Sequence, residues 1–440
     1  MLDRFLKFCF ILSFLFLVFL IGFFSHKYKF NYLYTNINYG IGIIESYLDI
    51  NLYDKIGDRE QRQKLDNSKI ILNNNFDFYN KPSSKFDYYL LIKHDHSQPT
   101  LMSSPDKVEW SWDLSIFRNN TKIVPLHLFS NGNLIVGNYE NKGIYKIDKY
   151  GKLIWKINNI SHHWIDIYNE SLFIPSRKFV NLPKESKKNN LKNTNLNKCN
   201  VDNSMFDTIL IIDSKTGLLK QELDLMKSLS KDRRFIDILN ENYEKDISLC
   251  KDPLHLNDIR VIDNQIKENL QKSIPDINEG DLILSFRSLN LILFYDYKNK
   301  KIKNIIYNLF EKQHSPRIDE YGNLFVFDNR PQEKKSKIVK IDILNHNILS
   351  YYEDIRFKSD VKGRIQFLEG NLFVQSSAQG EIFQIICKDG FFEECLSKYL
   401  YSSNFSFFYP SKYFDSSLTF KKDSLFLADF YKKDYVKFLE

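Results

Sequence analysis

From about residue 88 onward the chain reads as short apolar runs separated by tight polar turns, rich in Ile, Val, Phe and Tyr, the pattern of strands rather than helices. One grammar recurs: a turn, a strand, a second turn and another strand. Asn131-Gly-Asn-Leu-Ile-Val-Gly leads to Gly143-Ile-Tyr-Lys-Ile-Asp, and Asn169-Glu-Ser-Leu-Phe-Ile-Pro leads to Thr208-Ile-Leu-Ile-Ile-Asp. Glu279-Gly-Asp-Leu-Ile-Leu-Ser, Tyr321-Gly-Asn-Leu-Phe-Val-Phe, Glu369-Gly-Asn-Leu-Phe-Val-Gln and Lys422-Asp-Ser-Leu-Phe-Leu-Ala open the other four units. The Asn or Gly before each first strand suits a tight entry turn. Most units are spaced at about the 40 to 50 residues of a four-stranded propeller blade. The expected fold is therefore all-β, a six-bladed β-propeller; a β-sandwich is the alternative, and six units of one grammar favour radial repetition. The strand near Val108, where Trp110 and Trp112 share a buried face, is expected to close the ring against the C-terminal end. One gap between units is too long, and it carries an insertion near 178–250 with a helical-looking stretch at 223–243.

The N-terminus follows a different pattern. Residues 8–24 are almost wholly apolar, with Arg4 and Lys7 before them and Lys27 and Lys29 after. Seventeen residues rise about 25 Å as a helix, enough to cross a thin hydrocarbon core with help from the flanks. No small-x-small cleavage site follows, so the run reads as an uncleaved signal anchor rather than a removed signal peptide. Three regions result: an N-terminal membrane anchor at 1–30, with 5–24 in the bilayer; a juxtamembrane helical or linker segment at 31–80; and the propeller at 81–440. The expected location is the inner membrane, single-pass, with the propeller in the periplasm.

Composition changes this picture little. The net charge of +7 is spread along the chain, and the densest basic run, around 184–198, is rich in Asn and poor in aromatics. It reads as a solvated loop, and no nucleic-acid partner is expected. Outside the anchor four cysteines remain, Cys199, Cys250, Cys387 and Cys395, which allow three disulfide pairings. The local one joins Cys199 to Cys250 across the insertion and Cys387 to Cys395 across a Lys-Asp-Gly turn, and it suits an oxidising compartment. No G-x-x-x-x-G-K-[ST], H-E-x-x-H or G-x-S-x-G segment occurs, which leaves nucleotide, zincin and α/β-hydrolase chemistry without support.

The chemistry lies in the histidines. The chain has nine, and they recur ahead of three consecutive units, in Ser161-His-His-Trp, in His255-Leu-Asn-Asp and in Gln313-His-Ser-Pro. In a propeller, segments at the ends of innermost strands meet at the axis. His255 and Asn257, two apart in a strand, are expected to point the same way, and Arg287 ends the next β run. Imidazoles and a guanidinium around one axis make a donor-rich cationic pocket suited to an oxyanion. Three histidines could instead hold zinc or copper, but an arginine aimed at the same point would repel the metal. The Asp328-Asn-Arg-Pro segment reads as a turn whose position could bring it to the pocket mouth.

These segments resemble the PAPS-independent arylsulfotransferases, exported bacterial six-bladed propellers, over roughly 88–440. The resemblance is carried by His-His-x-x-Asp-Ile at His162, His-x-Asn at His255, Ser-x-Arg at Arg287 and the His-Ser-Pro segment. It implies transfer of a sulfuryl group from an aryl sulfate to a phenol through a sulfohistidine, with no cofactor. By order the nucleophile is His314; His255, Arg287 and His163 assist catalysis, and His162 and Asn257 bind substrate. Which of His162 and His163 faces the pocket stays open at this level. The insertion and the spacing of Arg287 to His314 depart from the family pattern. A non-catalytic propeller of the envelope, binding a protein partner or an anionic ligand, is the alternative.

Overall fold

In a computed structural model, described for residues 88–439 except 95–97, 105–106, 118–122, 139–142, 162, 183–193, 334, 354–356, 361, 369–370, 378–380, 388–394 and 403–424, six four-stranded antiparallel sheets form a six-bladed β-propeller. Numbered from the N-terminus, the blades have as innermost strands Leu425–Tyr431, Ile123–Leu128, Asp166–Tyr168, Leu256–Val261, His314–Ile318 and Arg364–Leu368. From blade 3 through blades 4, 5, 6 and 1 to blade 2, each innermost strand touches the next, which places them around the axis.

The repeats read from the sequence map onto these blades with one offset. In blades 2 to 5 the repeated turn enters the second strand, and Gly132, Gly280 and Gly322 occupy it with φ of +84°, +88° and +83°. At Gly322 a Cβ would lie 2.3 Å from the Asn269 carbonyl oxygen, so only glycine fits. Blade 3 makes the same turn without glycine, placing Asn169 and Glu170 at positive φ. The sixth unit behaves differently: its strand is innermost in blade 1 and pairs with Tyr89–His94. Ring closure therefore runs through Tyr89–His94, and the expectation for Val108 is corrected. Val108 lies on Lys107–Ser111, the outermost strand of that blade, where it is largely exposed. Trp110 and Trp112 pack there as structural groups, their indole N–H groups donating to the carbonyls of Lys149 and Gly132.

The apolar runs are unbroken because each blade is covered on both faces. In Val201–Asp213, Ile209 and Ile211 pack toward blade 4 while Leu210 and Ile212 pack toward blade 2. In blade 5, Leu324 and Val326 face blade 4, whereas Phe325 and Phe327 face blade 6. Period-two alternation thus survives as a choice between two apolar neighbours, not between core and water.

The insertion begins later than the sequence suggested. Ser171–Leu182 and Val201–Asp213 are long strands paired as far as Leu182 and Val201, so 178–182 continue blade 3. Beyond the blade come α1 (Leu225–Leu229) and α2 (Arg233–Lys245), with Asp224 and Asp232 as N-caps. Leu225, Met226, Leu229, Phe235 and Leu239 lay these helices on the core between blades 3 and 4. Cys199 and Cys250 are joined in a disulfide that closes this region. Cys387 and Cys395 lie opposite each other across Glu381–Cys387 and Cys395–Ser402. The anchor, the juxtamembrane segment and His162 lie outside the described residues; among the described residues no helix is long and apolar enough to cross a membrane.

Candidate functional site

Three histidines reach one point from three successive blades. His163 precedes the innermost strand of blade 3, His255 directly precedes that of blade 4, and His314 begins that of blade 5. None sits in regular strand geometry. His163 and His255 have φ of 68° and 54°, and Ser315, next to His314, has 52°. The pairing register also shifts between Leu256 and Asp258 and between His314 and Arg317. Such irregularities re-aim side chains, and residues at positive φ persist only where surrounding structure holds them.

The rings form a connected cluster. His163 Nε2 lies 3.1 Å from His255 Nε2, and the ring centres of His163 and His314 are 5.9 Å apart. His314 is buried and its environment fixes its tautomer. Asn329 donates its Nδ2–H groups to the Ser359 and Lys362 carbonyls, so its Oδ1 turns to His314 Nδ1 at 2.7 Å. The Lys312 carbonyl lies 3.1 Å from the same nitrogen. Two acceptors on Nδ1 require the proton there, which leaves the Nε2 lone pair free of it. Burial, with the Arg287 and His255 charges adding to it, pushes the His314 pKa down to about 3. The imidazole is therefore neutral near pH 7.

Arg287 opens a 3-10 turn, Arg287–Leu289, after the second strand of blade 4, and its main-chain N–H donates to the His255 carbonyl at 3.0 Å. Its half-buried guanidinium makes no hydrogen bond or ion pair among the described residues. Lys312, whose N–H donates to Asn290 Oδ1 at the end of that turn, likewise has no ion pair for its ammonium among the described residues. Burial lowers the pKa of both, and in Lys312 the Arg287 charge lowers it further. The Asp252 carboxylate acts on both cations without pairing with either, and two such cations beside the neutral His314 imidazole make a site that favours an anion.

The expectation that His255 and Asn257 share one strand face is corrected. His255 lies outside the strand at positive φ, and Asn257 is fully buried with Nδ2 donating to the Gln313 carbonyl at 2.5 Å. Asn257 thereby holds the backbone immediately before His314. In the sequence Asn329 belongs to a turn whose position could bring it to the pocket mouth, without a role of its own, and nothing there marks Lys312 or Arg177. Asp252 is marked only by its spacing, three residues before His255. Its Oδ2 meets His255 Nδ1 at 2.5 Å and Arg177 Nη2 at 3.3 Å. Among the described residues no group of three or more His, Cys, Asp or Glu is arranged to hold a metal ion.

Along the innermost strands of blades 1 and 3 to 6 lies a second polar set. Asp166 pairs with Arg260, Asp258 with Arg317, and Asp429 with Arg364, which stacks under Trp164 at 4.0 Å.

With this geometry in place, one family comparison bears on function. Residues 190–389 match the family model described as arylsulfotransferase (ASST). The matched stretch contains blades 4 and 5, with His255, Arg287, His314 and Asn329; His163 lies before it. No curated protein matches the chain. Among solved structures, a protein of unknown function from Bacteroides caccae is 11% identical, with a TM-score of 0.39 over 72% of this chain and 94% of that one. A functionally unknown protein from Desulfotomaculum acetoxidans is 8% identical, with a TM-score of 0.39 over 68% of this chain and 75% of that one. The Dos1 propeller is 12% identical, with a TM-score of 0.35 over 70% of this chain and 72% of that one. Likenesses of this size say nothing about function.

Proposed function

We propose that this chain transfers a sulfuryl group from an aryl sulfate to a phenolic acceptor through a sulfohistidine at His314. The observation that carries the reading is the His314–Asn329 bond, which holds Nδ1 as the donor and presents a neutral imidazole through Nε2. In the first half-reaction the Nε2 lone pair forms a bond to sulfur while the bond from sulfur to the aryl oxygen breaks and leaves its electrons on that oxygen. In the second, an acceptor oxygen attacks sulfur and the nitrogen–sulfur bond breaks, so the kinetics are ping-pong. Arg287 and Lys312 face the sulfuryl oxygens, where preformed positive charge stabilises the transition state as in phosphoryl transfer. The apolar run at 8–24 and the Cys199–Cys250 bridge support a membrane-anchored enzyme working on the periplasmic side.

The test is incubation of the full-length protein with 4-nitrophenyl sulfate, reading the burst of 4-nitrophenol and the histidine peptide by mass spectrometry. A burst with a sulfurylated His314 peptide, both lost in His314→Ala, is the expected result. No phenol from any aryl sulfate and acceptor, with His314 unmodified, overturns the reading. A second reading draws on the unpartnered charges of Arg287 and Lys312: a propeller that binds an anionic ligand without reaction. Binding of inorganic sulfate with no burst would favour it.

A further inference from the structure

We propose that Asp252 is a positioning residue: it fixes His255 so that the His255–His163 pair delivers the proton to the departing aryl oxygen and recovers it from the acceptor. This rests on the sulfuryl-transfer reading above.

The carboxylate is held from several sides. Arg177 bridges it to Asp207, donating from Nε to Asp207 Oδ1 at 3.2 Å, while fully buried Asp207 also accepts the Leu256 N–H at 2.9 Å through Oδ2. The loop carrying Asp252 is pinned by the Cys199–Cys250 bridge, by Ser204 Oγ donating to the Cys250 carbonyl at 2.7 Å and by Met205 N–H donating to the Lys251 carbonyl at 2.7 Å. An ionised carboxylate only accepts, so Oδ2 at 2.5 Å requires the proton on His255 Nδ1. His255 Nε2 is then the nitrogen that exchanges protons, and it lies 3.1 Å from His163 Nε2. Oδ1 of Asp252 is buried and accepts no hydrogen bond, so its charge remains available to balance an imidazolium in the pair.

The proton count closes over one turnover. As the nitrogen–sulfur bond forms at His314 and the aryl oxygen departs with its electron pair, the charged pair gives that oxygen one proton. When the acceptor hydroxyl attacks sulfur and the electrons of the nitrogen–sulfur bond return to His314 Nε2, the hydroxyl proton refills the pair. Without the Asp252 carboxylate the imidazolium of the pair loses the charge that balances it and His255 can take either tautomer, so proton delivery fails on both counts.

The role is read through the leaving group. A 4-nitrophenolate leaves without a proton, whereas phenolate itself needs one. In the full-length protein, Asp252→Asn is expected to lower the rate of phenyl sulfate cleavage about 100-fold, and that of 4-nitrophenyl sulfate no more than about fivefold. Asp252→Glu should recover part of the loss on phenyl sulfate. Nitrogen-15 NMR of the imidazoles supplies a readout that needs no turnover: His255 carries its proton on Nδ1 in the wild type and divides it between both nitrogens in Asp252→Asn. Equal loss with both substrates, or an unchanged His255 tautomer in Asp252→Asn, overturns the proposal. If the wild type transfers no sulfuryl group, the sulfotransferase reading falls with it, and an unchanged tautomer would independently remove the positioning role. Thermal unfolding of each variant separates a folding defect from these outcomes, and Asp252→Glu carries the test if Asp252→Asn does not fold.

Discussion

Two charged regions of the propeller are built on opposite principles: one lies along the innermost strands, the other beside the starts of those of blades 4 and 5. In one, three arginines meet three aspartates, and each pair bridges different blades: Arg260 of blade 4 to Asp166 of blade 3, Arg317 of blade 5 to Asp258 of blade 4, and Arg364 of blade 6 to Asp429 of blade 1. In the other, Arg287 and Lys312 have no ion pair among the described residues and stand beside imidazoles. The paired set ties the ring together, with no net charge to offer a ligand. The unpartnered set is electrostatically incomplete and is completed by an anion. Even the paired set is not a simple gain. Burial pushes Asp258 up and Arg317 down against their mutual attraction. Packing keeps these charges together as much as their attraction does, so breaking one pair should cost more than removing both partners.

The sharpest break of this contrast is Arg317→Met, which strands the fully buried Asp258. A loss of about 3–5 kcal/mol in denaturant unfolding is expected, whereas Arg317→Met with Asp258→Leu should recover most of it. Equal losses in the single and double variants would refute the structural assignment of the ring. Arg287→Met should do the reverse: unfolding free energy unchanged or raised, and affinity for inorganic sulfate, followed by calorimetry, weakened by about 2 kcal/mol. Destabilisation without loss of sulfate binding would place Arg287 with the structural set.

A smaller effect concerns pH. His314 stays neutral in the folded protein down to about pH 3, while in the unfolded chain it takes a proton near 6.5. The unfolded state therefore binds more protons in that window. The contribution of the neutral imidazole is fully present above about pH 6.5 and is lost as pH falls toward 3, at up to about 1.4 kcal/mol per pH unit. Comparing urea midpoints between pH 7 and 5 for the wild type and His314→Gln checks this, and a slope unaffected by the substitution would remove His314 as its source. The smallest difference expected is ligand protection. Sulfate at about 100 times its dissociation constant should stabilise the wild type by about 2.7 kcal/mol and Arg287→Met by well under half of that.

Much of this architecture was readable in advance because local chemistry repeats. Tight turns before Leu134, Leu282 and Leu324 need positive φ, and glycine marks them. The apolar runs that follow are buried on both faces, so they stand out in any blade. The order of His163, His255 and His314 was visible because each sits where an innermost strand begins. The closing strand was misplaced because Lys107–Ser111, with Trp110 in it and Trp112 just after it, looks more like a core strand than Tyr89–His94 does, and only pairing with Leu425–Tyr431 distinguishes them. The shared face of His255 and Asn257 failed because a positive φ at a non-glycine residue leaves no mark in the sequence.

By itself, then, the sequence determined the repeat, the number of sheets and the recurrence of histidine at the blade entrances. These depend on residues within one unit, where side-chain period and turn chemistry act locally. Tertiary structure alone decided which cations go without partners and which nitrogen of His314 is free. Arg287 and Lys312, or His314 and Asn329, share no sequence period. Their charges and tautomers are set by which groups the closed ring brings within hydrogen-bond reach, and burial makes those short-range choices strong.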